Sequence, residues 1–378
     1  MRRTRRVAVV TGSRADYGLL ESTMRAVSAR RALRLQVVVT GMHLLRRFGR
    51  TADEIMRDGW SIDARVKMQS GDDGPADQAE GLSRGVAGIA RFIERAGTDV
   101  VVVLGDRIEA MAGALAGVTM GKLVAHIHGG DTAPGDFDEG LRHAITKLAH
   151  VHFVATQESL RRVVRMGEPP RRVHCVGAPG LDRLIEIASG PVQPDARPGR
   201  VLIVFHACGR PAASEARTMR RILRVAGELE MRQTIVYPNT DRGHAGIIEA
   251  IEAHARAVGN GTVNVFRSLG RDTYLRLLLD SDLVMGNSSS GIIEAPAAGT
   301  PSVNIGTRQE GRTPGGPSVV NAGESASSIR AAVHAALRKN PRKMCGSPYG
   351  IGGAGGRIAR VLARMPINEA FRRKKSTY

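Results

Sequence analysis

The chain has 378 residues, enough for two ordinary domains with sizeable hydrophobic cores. Hydrophobic residues make up 42% and charged residues 24%, close to the averages of globular proteins. The longest apolar runs have the length of single strands, which excludes a membrane-spanning helix. Three widely spaced cysteines exclude a disulfide framework and match no metal-binding spacing.

The formal net charge is +19, which in general favours a polyanionic partner. Only seven of the 55 basic residues are lysine, and the basic residues are scattered along the chain with short clusters only near the termini. Aromatic residues, at 3%, leave little for stacking on bases. We therefore expect no nucleic-acid partner.

The N-terminus is basic and then apolar, as in a signal peptide. Its apolar stretch is about five residues, shorter than the roughly 7 to 15 that a signal peptide needs. We interpret it as a first strand, and we expect a cytoplasmic protein with no membrane partner.

Strand-like apolar runs alternate with helical patterns along the chain, which is typical of parallel βαβ units. In the first half, strands are predicted at 7–11, 35–40, 99–104, 123–127, 151–155 and 173–176. In the second half, they are predicted at 201–205, 234–237, 262–266, 283–285 and 301–304. Three prolines between residues 182 and 200 predict a linker, and the glycine-rich stretch 352–356 predicts a loop before a last helix.

The pattern therefore predicts an α/β protein of two Rossmann-like, doubly wound domains facing a cleft in which ligands bind. The first strand leads into T-G-S-R-A-D-Y-G, where glycine and a helix N-terminus suit an anion. Arg14 is a candidate contact there, although Arg14 and Asp16 could equally fix the turn. No dinucleotide fingerprint or phosphate-binding loop of the common kinds occurs, which disfavours a nicotinamide or ATP enzyme.

Polar residues follow two adjacent predicted strands. Asp106 and Arg107 come after strand 99–104. Strand 123–127 contains His126, and the segment after it carries His128, Asp131, Asp136, Asp138, Glu139, Arg142 and His143. Parallel sheets place reactive groups at these carboxyl ends, where a carboxylate can work as acid or base. Helix capping is the structural alternative. His126 and His128 alternate along a strand with no third ligand at zinc spacing, so we expect no metal.

In the second half, His206 ends a strand, and the string G-N-S-S-S-G-I-I-E-A-P at 286–296 leads from a strand into a helix. Three serine hydroxyls and a helix N-terminus suit a phosphate, and Glu294 suits a ribose diol. Ordinary serine capping explains one serine better than three. Arg308 and Arg312 on the next loop add charge for the same anion, so the sequence predicts a nucleoside diphosphate site.

These motifs resemble the UDP-N-acetylglucosamine 2-epimerases, and more closely their hydrolysing, sialic acid pathway branch. The matching strings are TGSRADYG, GDR, HIHGGD, RHAITKLAHVHFVAT, VGAPGLD and GNSSSGIIEAPAAGTPSVNIGTRQEGR. The resemblance implies the GT-B arrangement of two domains, a UDP-sugar as substrate and no cofactor. It also implies an oligomer, for which we expect a homodimer or homotetramer.

With the resemblance, the expected domains are 1–182 on the sugar and catalytic side, 183–365 for nucleotide binding, and a helix at 366–378 that crosses back to the first domain. The implied catalytic residues are Asp106, His128, Asp131, Asp138, Glu139 and His206. The implied nucleotide contacts are Arg14, Ser288, Ser289, Ser290, Gly291, Glu294, Arg308 and Arg312. The implied sugar contacts are Arg107, Arg142 and His143.

The implied reaction removes the C2 proton of the sugar, expels UDP and hydrates the resulting glycal to N-acetylmannosamine or a close analogue. Where this chain has His128, many relatives have a glutamate that is treated as a catalytic acid or base. In this chain the role of that glutamate passes either to Asp131 or to His128 itself. Three alternatives stay open: the same chemistry on a modified sugar such as a 2,4-diacetamido-6-deoxy hexose, a non-hydrolysing 2-epimerase, and a GT-B glycosyltransferase.

Overall fold

The computed structural model of the chain describes residues 3–45, 51–69, 75–132, 138–190, 199–239, 241–259, 261–338, 347–375 and 377. It divides into two compact units. The first comprises Met1–Asp182 together with Gly352–Tyr378, and the second comprises Arg183–Ile351. Residues 191–198, which hold the three prolines of the predicted linker, lie outside the described residues. The return of the chain to the first unit, expected for 366–378, begins in the structure at Gly352.

The first unit is built on a seven-stranded parallel sheet in the order β3-β2-β1-β4-β5-β6-β7. Its strands are β1 (Arg5–Thr11), β2 (Leu33–Thr40), β3 (Ala64–Val66), β4 (Val100–Leu104), β5 (Leu123–Ile127), β6 (Val151–Val154) and β7 (Val173–Cys175). Its helices are α1 (Arg14–Ser28), α2 (Ala52–Arg57), α3 (Pro75–Ala96), α4 (Ile108–Thr119), α5 (Asp138–Leu148) and α6 (Gln157–Arg165). The division between the units falls within the next helix, α7 (Gly180–Ala188).

The second unit has a six-stranded parallel sheet in the order β10-β9-β8-β11-β12-β13. Its strands are β8 (Arg200–Val204), β9 (Arg232–Val236), β10 (Val263–Phe266), β11 (Leu283–Gly286), β12 (Ser302–Ile305) and β13 (Val319–Ala322). Its helices are α8 (Ala212–Gly227), α9 (His244–Val258), α10 (Arg271–Leu279), α11 (Ser290–Ala298) and α12 (Ala326–Arg338). The strand order reverses between β8 and β11, as it does between β1 and β4, and ligands of doubly wound sheets bind at such points.

The central strands are apolar on both faces because helices cover both sides of each sheet. Val7 and Val9 of β1 are completely buried against one layer, and Ala8 against the other. Two late helices, α13 (Ala354–Arg364) and α14 (Glu369–Arg372), belong to the first unit. Ile358 and Leu362 of α13 are fully buried in the same apolar cluster as Val7, so the end of the chain completes the first core.

The sequence prediction is wrong at three places. It omits the short edge strands β3 and β13, and it assigns the whole of 352–356 to a loop, whereas α13 begins at Ala354. A glycine is required inside this helix because a Cβ atom at Gly355 would lie 2.5 Å from the Ser22 carbonyl oxygen of α1. Gly355 therefore permits close packing of α13 against α1. None of the helices in the described ranges is both long and apolar enough to cross a membrane.

Candidate active site

The carboxyl ends of β4 and β5 are locked together by a buried histidine. Gly105, which follows β4, has a φ of 77° that favours glycine, and its carbonyl accepts a hydrogen bond of 2.8 Å from His126 Nε2. His126 Nδ1 lies 3.1 Å from Thr146 Oγ1 of α5. Burial lowers the pKa of His126 to about 3, so the ring is neutral at pH 7. His126 is a structural residue that fixes the strand ends.

Arg142 of α5 brings three of the predicted residues together. Its guanidinium forms an ion pair with Asp106, and Nη1 donates to Glu139 Oε2 and to the carbonyl oxygen of Asp131, each at 2.9 Å. Arg142 is buried, whereas the Asp106 side chain keeps about a quarter of its surface exposed. A buried cation between two carboxylates fixes the positions of both through charge-assisted hydrogen bonds.

Asp106 does not act as a helix cap. The residue at the N-cap of α4 is Arg107, and no side-chain cap bond is formed there. The capping alternative for Asp106 is therefore wrong, and its carboxylate is directed to Arg142 on a neighbouring helix.

His128 and His143 complete this cluster in the first unit. His128 Nδ1 lies 2.9 Å from Asp131 Oδ2, and His143 Nε2 lies 3.1 Å from Glu139 Oε1. Asp138 is the exposed first residue of α5. Asp136, another acid singled out in the sequence, lies outside the described residues.

Two arginines predicted to bind substrate have acidic partners in the first unit. Arg14 Nη1 lies 3.3 Å from Glu54 Oε1, while Arg107 Nε donates to Glu109 Oε2 at 3.4 Å. Glu109 is almost completely buried and also accepts a hydrogen bond from Gln69 at 3.1 Å. Sequence reasoning missed Glu109, although a carboxylate in the otherwise apolar helix 108–119 was a visible signal.

The T-G-S-R-A-D-Y-G string is a helix start. Ser13 is the N-cap of α1, and it forms a reciprocal capping box with Asp16. Asp16 also accepts hydrogen bonds from Thr11 Oγ1 at 2.7 Å and from the Gly12 amide at 2.9 Å. Asp16 therefore shapes the turn that presents Arg14, and the alternative of an Arg14–Asp16 pair is replaced by the pair of Arg14 with Glu54.

In the second unit, His206 follows the carboxyl end of the central strand β8, where residues of two other loops bind it. Asn287 Oδ1 accepts from the His206 amide at 2.7 Å, and Asn287 Nδ2 donates to the His206 carbonyl at 2.9 Å. The Asn239 amide donates to His206 Nδ1 at 3.1 Å. Desolvation and the charge of Arg308 lower the pKa of His206 to about 3. The ring is thus neutral at pH 7, with its proton on Nε2.

The three serines lie where β11 leads into α11. Ser289 is at the N-cap but forms no side-chain cap bond, so ordinary capping does not account for it. The Ser290 amide donates to Ser288 Oγ at 3.4 Å, and the Gly291 amide donates to the Ser288 carbonyl at 3.0 Å. Ser290 Oγ lies 2.5 Å from the Tyr274 hydroxyl.

Helix α10 supplies two partners that sequence reasoning missed. Besides Tyr274, it carries Arg271, which forms an ion pair with the buried Glu294. The partners in the Tyr274–Ser290 contact are 16 positions apart in the chain, and those in the Arg271–Glu294 contact are 23 apart. No local sequence motif predicts either contact.

The loop after β12 lies against the start of the serine string. Arg308 Nη1 and Gln309 Nε2 both donate to the Asn287 carbonyl, at 3.4 and 2.8 Å. Arg312 follows on the same turn, with its amide donating to the Gln309 carbonyl at 3.2 Å. The second unit thus gathers His206, the serines, Glu294 and Arg308, whereas Arg14 belongs to the first unit. Within the described part of the chain, no three His, Cys, Asp or Glu side chains are grouped as metal ligands would be.

Known proteins resemble this chain in sequence. A sequence profile described as UDP-N-acetylglucosamine 2-epimerase matches residues 25–363. A UDP-N,N'-diacetylbacillosamine 2-epimerase (hydrolyzing) of Legionella pneumophila is 31% identical over 383 residues, covering 99% of this chain and 100% of its own. A UDP-N-acetylglucosamine 2-epimerase of Neisseria meningitidis is 32% identical over 320 residues, covering 82% of this chain and 81% of its own.

The fold is also shared with solved structures. The crystal structure of UDP-GlcNAc 2-epimerase from Neisseria meningitidis bound to UDP-GlcNAc superimposes with a TM-score of 0.76 at 17% identity, covering 94% of this chain and 99% of that one. The two-domain, Rossmann-like fold is therefore the one expected from the sequence. With most of its length matched by the family profile, the chain belongs to the UDP-N-acetylglucosamine 2-epimerase family.

Proposed function

We propose that the protein is a hydrolysing 2-epimerase that converts UDP-N-acetylglucosamine, or a close analogue, into UDP and the free 2-epimeric sugar. The observation that carries the proposal is the Arg142 cluster. It holds the carboxylates of Asp106 and Glu139, and the backbone of Asp131, at the carboxyl ends of β4 and β5. Such a set offers several acid–base groups beside a fixed cation.

The reaction has two stages. The C2–H bond breaks and its electron pair forms the C1–C2 double bond, while UDP departs with the pair of the C1–O bond. Water then adds across that double bond, with hydroxyl at C1 and a proton at C2 on the opposite face, which gives the manno sugar. Both stages need groups that take up and return protons, and the first needs cations that stabilise the departing diphosphate.

Each unit has its own part in the proposal. The groups that take up and return protons are Asp106, His128, Asp138 and Glu139. Asp131 lies beside His128. Arg107, Arg142 and His143 contact the sugar. In the second unit, the neutral His206 donates from Nε2 toward the departing phosphate oxygen. The nucleotide is bound by Arg14 and by the residues of the serine and arginine loops, namely Ser288, Ser289, Ser290, Gly291, Glu294, Arg308 and Arg312.

A second candidate is the same chemistry on a 2,4-diacetamido sugar nucleotide. The Legionella protein named for that substrate matches this chain over nearly all of both lengths, whereas the Neisseria protein covers 82% of this chain. Both candidates belong to the hydrolysing reaction, and they differ only in the group at C4 and C6 of the sugar.

Proton NMR in deuterated water tests the proposal. The enzyme is incubated with UDP-N-acetylglucosamine or UDP-N,N'-diacetylbacillosamine, and the anomeric region and the C2 signal are followed over time. We expect UDP and a free manno-configured sugar with deuterium at C2 from one of the two substrates. Deuterated UDP-N-acetylmannosamine without release of UDP would instead indicate the non-hydrolysing reaction. Transfer of sugar without C2 deuteration would indicate a glycosyltransferase.

A further inference from the structure

His128 has an unusual backbone at the end of β5. Its amide donates to the Phe153 carbonyl at 2.9 Å, as if the strand continued, yet its φ is 64°. Among the described residues, only His128 and Glu230 combine a positive φ with a side chain. This conformation costs a β-carbon-bearing residue about 1 kcal/mol or more. It turns the imidazole back toward the loop that holds Asp131.

Both carboxylate oxygens of Asp131 are engaged by protein side chains. Oδ2 lies 2.9 Å from His128 Nδ1, and Oδ1 accepts a hydrogen bond of 2.7 Å from Ser159 Oγ. The Asp131 carbonyl is held in addition by Arg142 at 2.9 Å. Asp131 is 6% exposed, so it is placed to orient a neighbour rather than to meet a substrate.

Ser159 receives its own orientation from the start of α6. Thr156 is the N-cap, and its Oγ1 accepts from the Ser159 amide at 3.1 Å. The two hydroxyl oxygens lie 2.9 Å apart. Because Ser159 donates its hydroxyl proton to the carboxylate, Thr156 donates to Ser159. The hydrogen bonds therefore run in one direction, Thr156 to Ser159 to Asp131, and bonds aligned in this way strengthen one another.

We propose that Asp131 and Ser159 are positioning residues that hold His128 in the tautomer with its proton on Nδ1, leaving Nε2 to take up and return a proton in the epimerase reaction. This inference rests on the proposed function and makes His128, not Asp131, the acid–base group of the pair. When Nε2 takes up a proton the ring becomes an imidazolium, and the adjacent carboxylate remains ionised and stabilises that charge. Return of the proton from Nε2 restores the neutral ring.

Two measurements test the proposal in the full-length protein. Imidazole 15N NMR reports the tautomer of His128, with its signals identified by their loss in His128→Gln. Steady-state kinetics gives kcat and KM with whichever UDP-sugar the enzyme converts. Asp131→Asn and Ser159→Ala are the test variants, and circular dichroism verifies that each is folded. Ser22→Ala is the matched control, because Ser22 Oγ donates to the Pro179 carbonyl at 3.1 Å in the same unit and has no link to His128.

We expect the wild-type ring to carry its proton on Nδ1. Asp131→Asn lowers kcat by at least about 100-fold, with KM within about twofold of the wild-type value. In the same variant, the tautomer of His128 with its proton on Nε2 becomes populated. Ser159→Ala lowers kcat by about 3- to 20-fold with a smaller tautomer shift. Ser159→Thr, which retains the hydroxyl, recovers most of that loss.

A wild-type His128 protonated on Nε2, or a Ser159→Ala variant with unchanged tautomer and kcat, would overturn the proposal. The NMR measurement needs no substrate, so it tests the positioning of His128 separately from the proposed epimerase function. If no UDP-sugar is turned over, the proposed function fails, while the tautomers of the wild type and Asp131→Asn still decide whether Asp131 positions His128.

Discussion

The side chain of Asn287 binds both backbone groups of His206. Its Oδ1 accepts from the His206 amide at 2.7 Å, and its Nδ2 donates to the His206 carbonyl at 2.9 Å. Asn287 is completely buried and its own carbonyl accepts from Arg308 and Gln309. One asparagine thus connects the loops after β8, β11 and β12, which together carry most of the predicted nucleotide contacts.

Asn287→Asp is expected to destabilise the second unit by about 2 to 4 kcal/mol. The substitution keeps an acceptor for the His206 amide but places a buried carboxylate against the His206 carbonyl without the donor. Urea unfolding measures the change. Asn321→Asp is the matched control, because the exposed Asn321 acts as the acceptor for Asn304 Nδ2 at 2.9 Å, and aspartate retains that acceptor. An equal loss in both variants would contradict the role of the donor.

Asp106→Asn is expected to lower turnover by about 100- to 10,000-fold, because it removes a carboxylate that the proposed proton transfers use. UDP affinity, measured by calorimetry, is expected to stay within about threefold, since most of the proposed nucleotide contacts belong to the other unit. Asp280→Asn, at an exposed position paired with Arg200, serves as the control for turnover. Loss of UDP binding together with activity would assign Asp106 a structural role.

Tyr274→Phe is expected to weaken UDP binding by about 2- to 12-fold. The substitution removes the hydroxyl that lies 2.5 Å from Ser290 Oγ, and a lost neutral hydrogen bond has about this effect. Tyr237→Phe removes a hydroxyl bonded to Glu252 at 2.8 Å in the same unit, and UDP affinity should be unchanged. Equal affinities of both variants would remove Tyr274 from the nucleotide site.

The stability of the first unit is expected to fall as the pH decreases below about 6.5, and His126 contributes to that loss. Burial lowers its folded-state pKa to about 3, whereas the unfolded chain takes up a proton near pH 6.5. Between these values the unfolded state binds more protons, so the free energy of unfolding decreases by about 1.4 kcal/mol per pH unit from this one group.

Urea unfolding of the wild type and His126→Gln between pH 6.5 and 5 measures this slope. Glutamine can donate to the Gly105 carbonyl without titrating, so the variant should lose stability less steeply. Above pH 7.5, where the ring is neutral in both states, the two slopes should coincide. Parallel slopes below pH 6.5 would show that His126 takes up its proton without unfolding.

Lys374 anchors the end of the chain to α5. Its Nζ donates to the carbonyls of Thr146, Lys147 and Ala149 at 3.1, 2.6 and 2.8 Å, and lies 2.7 Å from the fully buried Glu168. Although burial raises the pKa of Glu168, hydrogen bonds from His152, Lys374 and Lys147 hold it down at about 2. Glu168 is therefore ionised at pH 7, and its buried charge is stabilised by Lys374 and Lys147.

Lys374→Met is expected to destabilise the first unit by about 1 to 3 kcal/mol, because a buried carboxylate and three carbonyls lose a donor. Lys375→Met removes the same charge from the adjacent exposed position and should change the free energy of unfolding by less than about 0.5 kcal/mol. Guanidinium unfolding at pH 7 compares the two. A loss shared equally by both variants would attribute it to net charge.

Most of the fold is predictable because long parallel strands are continuous apolar runs that the chain separates by helices. The strand at 123–127 has the predicted bounds, and most of the others differ by one or two residues. The two missed strands lie at sheet edges, where β3 has three residues and β13 alternates little. Their β structure depends on pairing with β2 and β12, which no local pattern reveals.

The candidate site is predictable only in part for a related reason. Strand ends locate Asp106 and Glu139 in the first unit, and His206 and the serines in the second, because parallel topology brings the carboxyl ends of the strands within each sheet to the same edge of that sheet. The partners that fix them, such as Arg271, Tyr274 and Ser159, come from separate helices. Such contacts are set by packing between elements distant in the chain, so spacing in the sequence does not disclose them.

Helix α13 has a consequence for biosynthesis. The ribosome delivers Ile358 and Leu362, which complete the core around Val7, only after the whole of Arg183–Ile351 has been made. Until then the nascent N-terminal half presents an uncovered apolar face along α1, and such faces attract chaperones or other nascent chains. We therefore expect the second unit to mature during translation and the first, although synthesised earlier, to mature last.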